Sequence, residues 1–268
     1  MELAVLVKQV PDTDDVVLDP EKGTLVREGV GAILNPLDLN ALEAALEAKR
    51  RFGGSVTVVS MGPPQTEGAL REALALGADR GVLLTDRAFA GADTWATSLV
   101  LAEGLRRLGP FDLVLAGEKA TDGETGQVGP EVATLLELPF ATYVGGWEPR
   151  EDGVTVERVV EEGTLEQDLP FPCLLTVLSH LNDPPMPTLE GKKRARRAPL
   201  ERLTAPDLGL DPQELGLSGS PTRVVRIATP QVARRGEVYA GADLEAGLDA
   251  LMDLLAERGL RASGRGAA

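Results

Sequence analysis

A chain of 268 residues with 43% hydrophobic content is long enough to bury a sizeable core, which excludes disorder along its whole length. Aromatic residues make up only 3%, so the core must be built from Leu, Val and Ala, and the composition argues against a stacking platform for single-stranded nucleic acid. Twenty-seven Lys and Arg against 42 Asp and Glu leave a charge of −15, which repels phosphate backbones and anionic lipid. Five of the cations nevertheless stand in one six-residue run, Lys192, Lys193, Arg194, Arg196 and Arg197; without them 22 cations face 42 anions, a charge of −20.

The apolar run 3–10, ending at Pro11, predicts a first strand, and residues 16–26 around Lys22-Gly23 predict a β-hairpin after it. Asn35-Pro36-Leu37-Asp38 opens a predicted helix over 38–52, with Leu39, Leu42 and Leu46 on one stripe and Gly53 as its stop. Further apolar strands are predicted at 55–60, 81–85 and 113–116, and between them helices at 66–76, stopped by Gly77, and 94–108, stopped by Gly109-Pro110. Near-continuous apolar strands alternating with helices predict an α/β fold, a doubly wound and mostly parallel sheet. After Pro139 the runs 140–144, 154–160 and 164–169 predict antiparallel additions, and 174–178 one more buried strand. Beyond His180 come a Pro-rich loop, the basic run and a stretch over 205–221 without sustained period, read as an extended arm. The last element is an amphipathic helix over 242–257, with Leu244, Leu248, Leu251 and Leu255 on one face.

The single cysteine, Cys173, excludes an intrachain disulfide and any Cys-only metal site, and reads as a buried, inert thiol. His180 is the sole histidine, with no acid–base partner spaced around it, so no metal site and no catalytic group are expected. The amino terminus lacks a basic segment followed by a cleavable apolar stretch, and no apolar run is long enough to span a bilayer; the expectation is a cytoplasmic protein with no membrane insertion and no nucleic-acid partner.

In an open α/β sheet, ligands bind beyond the carboxyl ends of the strands, near the point where strand order reverses. The loop after the strand at 113–116 runs from Gly117 to Pro130 and ends in a helix predicted from about Glu131. Gly123, Gly126 and Gly129 at spacing three, with Thr121 and Thr125, offer backbone N–H groups and a helix amino terminus to a phosphate. A glycine-rich surface connection without a ligand is the plain alternative. By themselves Asn35 and Pro36 read as a helix start, and Met61 as the entry to a turn.

Several separated stretches together resemble the β subunit of electron transfer flavoproteins: Leu6-Val7-Lys8-Gln9-Val10-Pro11-Asp12-Thr13, Asn35-Pro36-Leu37-Asp38 with Ala41 and Glu43 downstream, Leu76-Gly77-Ala78-Asp79-Arg80-Gly81, the loop 120–130, and Leu181-Asn182-Asp183-Pro184 leading to Thr188-Leu189. They occur in order and at similar spacing from the first strand to about Leu260. The resemblance implies an adenine-nucleotide α-hydrolase-like fold, with an α/β nucleotide-binding domain over 1–190 and a C-terminal arm and helix over 191–268 packing on a partner subunit. It implies an electron carrier rather than a catalyst, paired with an α subunit that carries the redox FAD. Electrons would come from acyl-CoA-type dehydrogenases, as in fatty acid oxidation, and pass to a quinone oxidoreductase. The β subunit's own nucleotide is AMP in the usual members, and its contacts carry over to Leu6, Asn35, Pro36, Leu37, Asp38, Met61, Asp122, Gly123, Glu124, Thr125, Gly126, Gln127, Val128, Gly129 and Ala133.

The segment Leu181, Asn182, Asp183, Pro184, Thr188 and Leu189 matches the family's recognition loop, with Leu189 at the anchoring position and Lys192 and Lys193 beside the docking surface. Two departures stand out. Thr13 replaces the tyrosine that mitochondrial-type relatives place near the α-subunit flavin. The loop 121–130 is closer to the bifurcating and nitrogen-fixation-associated branch, where the β site holds a second FAD; AMP is kept first because nothing in the sequence shows room for a flavin ring. Readings of other classes are an adenine-nucleotide-binding sensor without a flavoprotein partner and a hydrolase built on His180.

Overall fold

The computed structural model describes residues 1–12, 31–225 and 236–260. Thr13 and the hairpin predicted over 16–26 lie outside the described residues. The chain divides into two compact units, Met1–Val225 and Arg226–Ala268.

The first unit begins with β1 (Glu2–Leu6), β2 (Gln9–Pro11), β3 (Ala32–Leu34), α1 (Pro36–Phe52), β4 (Ser55–Met61), α2 (Glu67–Leu76), β5 (Arg80–Leu84), α3 (Thr94–Leu108), β6 (Leu113–Gly117) and α4 (Val128–Leu135). It continues with β7 (Phe140–Pro149), β8 (Gly153–Val160), β9 (Gly163–Pro170), β10 (Cys173–Val177), α5 (Leu189–Arg197), β11 (Leu200–Leu203) and the short helices α6 (Ala205–Leu208) and α7 (Gly216–Gly219). Nine strands form one sheet in the order β11-β5-β4-β1-β6-β10-β7-β8-β9. The pairs from β11 to β7 are parallel, and β8 and β9 add antiparallel strands at one edge. The predicted fold class is therefore the observed one.

Alternation along β1 explains why helices cover both faces. Leu3 and Val5 point into one core layer with Leu42 and Leu46 of α1 and Leu70 and Leu74 of α2, whereas Ala4 and Leu6 point into the other with Val100 and Leu105 of α3 and Val132 of α4. Small residues bring helices and strands close: a Cβ on Gly129 of α4 would fall 2.4 Å from Thr176 Cγ2 on β10.

Three elements depart from the sequence expectation. The first strand stops at Leu6, because the Lys8 N–H is given to the Asp38 carboxylate and the chain turns into the β2–β3 pair. Helix α4 starts at Val128 rather than Glu131, since Pro130 sits in its first turn, where a missing N–H costs nothing. The basic run is helix α5, capped by Thr188, whose Oγ1 accepts from the Gly191 N–H at 3.0 Å. It lies on α2: Arg194 donates to the Leu74 carbonyl at 3.1 Å and Arg71 to the Ala195 carbonyl at 2.7 Å. The chain then adds β11 to the sheet beside β5. Helix α5 and β11 thus belong to the first unit, which ends at Val225. Only Leu200 and Leu203 of β11 are apolar, too short an alternation to register as a strand beforehand.

In the second unit, residues 236–260 carry α8 (Leu244–Glu257), whose Leu244, Leu248 and Leu251 are each at least half exposed. No helix among the described residues is long and apolar enough to cross a membrane.

Gly191 is buried where α5 meets α2, and a Cβ there would lie 2.2 Å from the Ala75 carbonyl oxygen, a backbone atom that cannot swing aside. Gly191→Ala is expected to cost about 1–3 kcal/mol, read as a lower urea midpoint at unchanged m-value.

Candidate functional site

Strand order reverses at the centre of the sheet, where β1 has β4 on one side and β6 on the other. The loops leaving the carboxyl ends of β1 and β6 therefore diverge and open a crevice. Asp38, buried in the first turn of α1, sits at this parting: Oδ2 accepts from the Lys8 N–H at 2.8 Å and Oδ1 from the Gly117 N–H at 3.2 Å. Such an approach requires glycine at 117, since a Cβ would stand 2.6 Å from Asp38 Oδ1 and 2.7 Å from the Leu37 carbonyl carbon. Burial pushes the Asp38 carboxyl up to about 7, against the pull of the Lys8 N–H, the Asn35 side chain, the Gly117 N–H and the Lys8 charge.

Asn35, fully buried, clamps the other side of the same loop. Its Nδ2 donates to the Lys119 carbonyl at 3.0 Å and its Oδ1 accepts from the Thr121 N–H at 3.2 Å. Beyond it the loop turns through Glu124 and Gly126, with φ of 53° and 63°, and enters α4. Lys8 Nζ meets Asp122 Oδ1 at 2.6 Å and Lys119 Nζ meets Glu124 Oε1 at 3.8 Å, so two nearby cations are already balanced by carboxylates. Among the described residues the N–H groups of Gly123, Thr125, Gly126, Gln127, Val128 and Gly129 donate to no protein acceptor. An anion here would be met by backbone N–H groups and the α4 amino terminus rather than by a free side-chain charge.

The crevice is a cavity of about 1350 Å³. One wall is formed by Leu6, Lys8, Asp38 and Met61, and a second by Asp122, Gly123, Glu124, Thr125, Gly126, Gln127, Val128 and Gly129. The far wall, which the sequence reading did not single out, comes from the loop after β5 and the start of α3, including Asp86, Phe89, Asp93, Thr94 and Thr97. Asp93 caps α3 by accepting from the Ala96 N–H, and its second oxygen holds Thr222. Four of the sequence-predicted residues do not line the cavity. Asn35 holds the loop from behind, Pro36 and Leu37 form the exposed and half-buried start of α1, and Ala133 of α4 is buried in a core layer.

The segment 181–189 lies at another edge of the same helix. Asn40, one turn or less beyond Asp38, donates from Nδ2 to the Ser179 carbonyl at 2.9 Å and the Asn182 carbonyl at 2.8 Å, and Asn182 Nδ2 returns a bond to the Asn40 carbonyl at 3.1 Å. Leu181 packs against the core, Asp183 is exposed and Pro184 half-buried. Thr188 caps α5, while Leu189 is 70% exposed and Lys192 and Lys193 point outward after it. Asn40 was missed as a site residue; its one signal was a poor helix former standing among Leu39, Ala41 and Leu42 on the apolar side of α1.

Neither of the two reactive candidates lines the cavity. Cys173 is fully buried, and burial pushes its thiol up to about 12. His180 lies exposed against Gly145, and no group of three or more metal-ligating side chains occurs among the described residues.

A family model described as "Electron transfer flavoprotein domain" matches residues 22–208. The chain belongs to the electron transfer flavoprotein family. It is 49% identical over 242 residues to the electron transfer flavoprotein subunit beta of Thermoanaerobacterium thermosaccharolyticum, covering 90% of this chain and 93% of the relative. It is 45% identical over 259 residues to the caffeyl-CoA reductase-Etf complex subunit CarD of Acetobacterium woodii, covering 96% and 99%. With Protein FixA of Bradyrhizobium diazoefficiens it shares 41% identity over 264 residues, 95% of this chain and 91% of that one. Membership makes the chain an electron-transfer protein, associated with flavin at the level of the complex.

The Asp38 carboxyl carries a sign for stability. Between its ordinary value of 3.8 and about 7 the folded chain retains a proton that the unfolded chain has lost. Wild-type stability is therefore expected to fall relative to Asp38→Asn as pH rises through that window, with a slope approaching 1.4 kcal/mol per pH unit at most, roughly the value of one proton. Urea unfolding of both proteins at stepped pH measures it; parallel curves would contradict the burial argument.

Proposed function

We propose that this chain is the β subunit of a heterodimeric electron transfer flavoprotein and that its cavity holds FAD. The observation that carries the second half is the volume: small-molecule sites typically enclose about 300–1,000 Å³, and 1350 Å³ exceeds the need of a mononucleotide. AMP, which the family resemblance puts first, would occupy the phosphate-facing end and leave the far wall uncovered. The likeness of the loop 121–130 to the bifurcating branch points the same way.

In this reading the N–H groups of the glycine loop and the first turn of α4 bind the phosphates, Asp38 and Asn35 hold that loop in place, and Phe89 and Leu101 give the far wall apolar surface. A bound FAD supplies a centre that takes up and gives up electrons. The chain's part is to position it, exclude water from it and present it to partners. The family assignment and the relatives named as beta subunits support an α-type partner, with α8 and the rest of the second unit as the arm packing on it. Residues 181–189 form the dehydrogenase recognition loop, with Leu189 as anchor and Lys192, Lys193, Arg196 and Arg197 steering an acidic partner. Donors are acyl-CoA-type dehydrogenases. The acceptor is a quinone oxidoreductase.

Nucleotides released by acid from the purified heterodimer test the cofactor. Two FAD per complex are expected; one FAD with one AMP would restore AMP to the site, and one FAD alone would remove the nucleotide reading altogether. For the loop, Leu189→Ala is expected to weaken docking by about 2 kcal/mol, roughly thirtyfold, seen as a lower kcat/KM for electron acceptance from a dehydrogenase while nucleotide content stays unchanged.

A further inference from the structure

Tyr143 in β7 has a φ of 57°, in the left-handed region where a bulky side chain is an outlier. The strand is irregular there: its register shifts against β10 between Leu175 and Val177, and against β8 between Val144 and Gly146. The backbone groups that this irregularity takes out of the ladders are nonetheless satisfied. The Tyr143 N–H donates to Thr176 Oγ1 at 3.3 Å, the Val144 carbonyl accepts from the Leu178 N–H at 2.9 Å, and the Thr142 carbonyl accepts from Arg158 Nε at 3.0 Å. Arg158 also donates from Nη2 to Thr142 Oγ1 at 3.0 Å. Side chains from two neighbouring strands thus hold an unfavourable conformation in place. Glycine is the ordinary residue for such a backbone, and this strand uses it two and three residues later, at Gly145 and Gly146.

What the conformation achieves is the direction of the phenol. Tyr143 Oη lies 3.6 Å from where a Cβ of Gly126 would stand, so the hydroxyl rests against that glycine. Gly126 lines the cavity, has a φ of 63°, and is followed by Gln127, the amino-terminal cap of α4. Tyr143 is 48% exposed and is not part of the cavity wall.

We propose that Tyr143 is a positioning residue that backs the glycine loop at Gly126 and holds its N–H groups towards the bound nucleotide. Asn35 clamps the start of that loop at Lys119 and Thr121, and Tyr143 supports its end, where α4 begins. The backbone strain is retained because a relaxed strand would point the ring away from the loop. This inference deepens the nucleotide-site reading and rests on it.

The heterodimer is purified with wild-type, Tyr143→Phe, Tyr143→Asn and Tyr143→Gly β chains. Retained FAD and AMP are counted, and their release on dilution is timed by chromatography of the free nucleotides. Asn and Gly tolerate the left-handed backbone, so both variants are expected to melt within a few degrees of wild type while releasing the β-site nucleotide about tenfold faster. Tyr143→Phe, which keeps the ring and loses the contacting oxygen, should fall between. Release from Tyr143→Asn and Tyr143→Gly at the wild-type rate, with wild-type complex holding its second nucleotide, would overturn the positioning role alone. A wild-type complex that holds no nucleotide beyond one FAD would overturn the site and this role together. Faster release in step with a collapsed melting temperature in both variants would mark Tyr143 as merely structural and also count against it.

Discussion

The Asp38 carboxylate accepts one backbone hydrogen bond from the segment leaving β1 and another from the last residue of β6, the two strands at which the sheet changes direction. Both donors stand just past the end of the β1–β6 ladder, whose last pair is Leu6 with Ala116, and a buried N–H without an acceptor is costly. A single side chain at the start of α1 thus satisfies both and sets the distance between the loops. The crevice exists because the loops diverge from that clamp, and glycine at 117 is the sequence's answer to the crowding it creates. The burial that makes the clamp short also raises the carboxyl well above its ordinary value, so the constraint comes with an energetic cost.

Helix α1 extends the same logic along its length. Asn35 at its cap holds the glycine loop, Asp38 holds the switch point, and Asn40 ties down the loop that begins after β10. Three polar side chains within six positions at the start of one helix therefore register the cavity and the proposed docking loop on one element. Movement of one relative to the other would require breaking bonds in a low-dielectric interior, where they are strongest.

The charge distribution follows a second division of labour. Gly191 and Ala195 face α2, and Arg194 reaches its last carbonyls, so one side of α5 is packed while Lys192, Lys193, Arg196 and Arg197 face outward. The basic run is a helix face mounted on an acidic body rather than a flexible tail. At the cavity the opposite holds: Lys8 and Lys119 are matched by Asp122 and Glu124.

Periodicity was enough to read the layered core, because strands buried on both faces are continuously apolar and helices show one stripe; Thr94–Leu108 was legible to the residue. The glycine spacing between Gly117 and Gly129 likewise marked a loop that lines the cavity. Where local pattern is weak the reading failed. Leu200–Leu203 is a strand only because β5 offers it an edge, and the basic run is a helix because α2 buries its small residues. Nor could sequence separate residues that line the cavity from those that support it: Asn35 and Asp38 are three apart, yet one lies behind the loop and the other on the wall. The amino-acid sequence by itself determined the fold class, the two-sided core and the loop that faces the site, since these rest on spacing along the chain. Tertiary structure alone decided the cavity's volume, its far wall, the clamp at Asp38 and the strained turn at Tyr143, because each depends on which backbone groups are left without partners once distant segments meet.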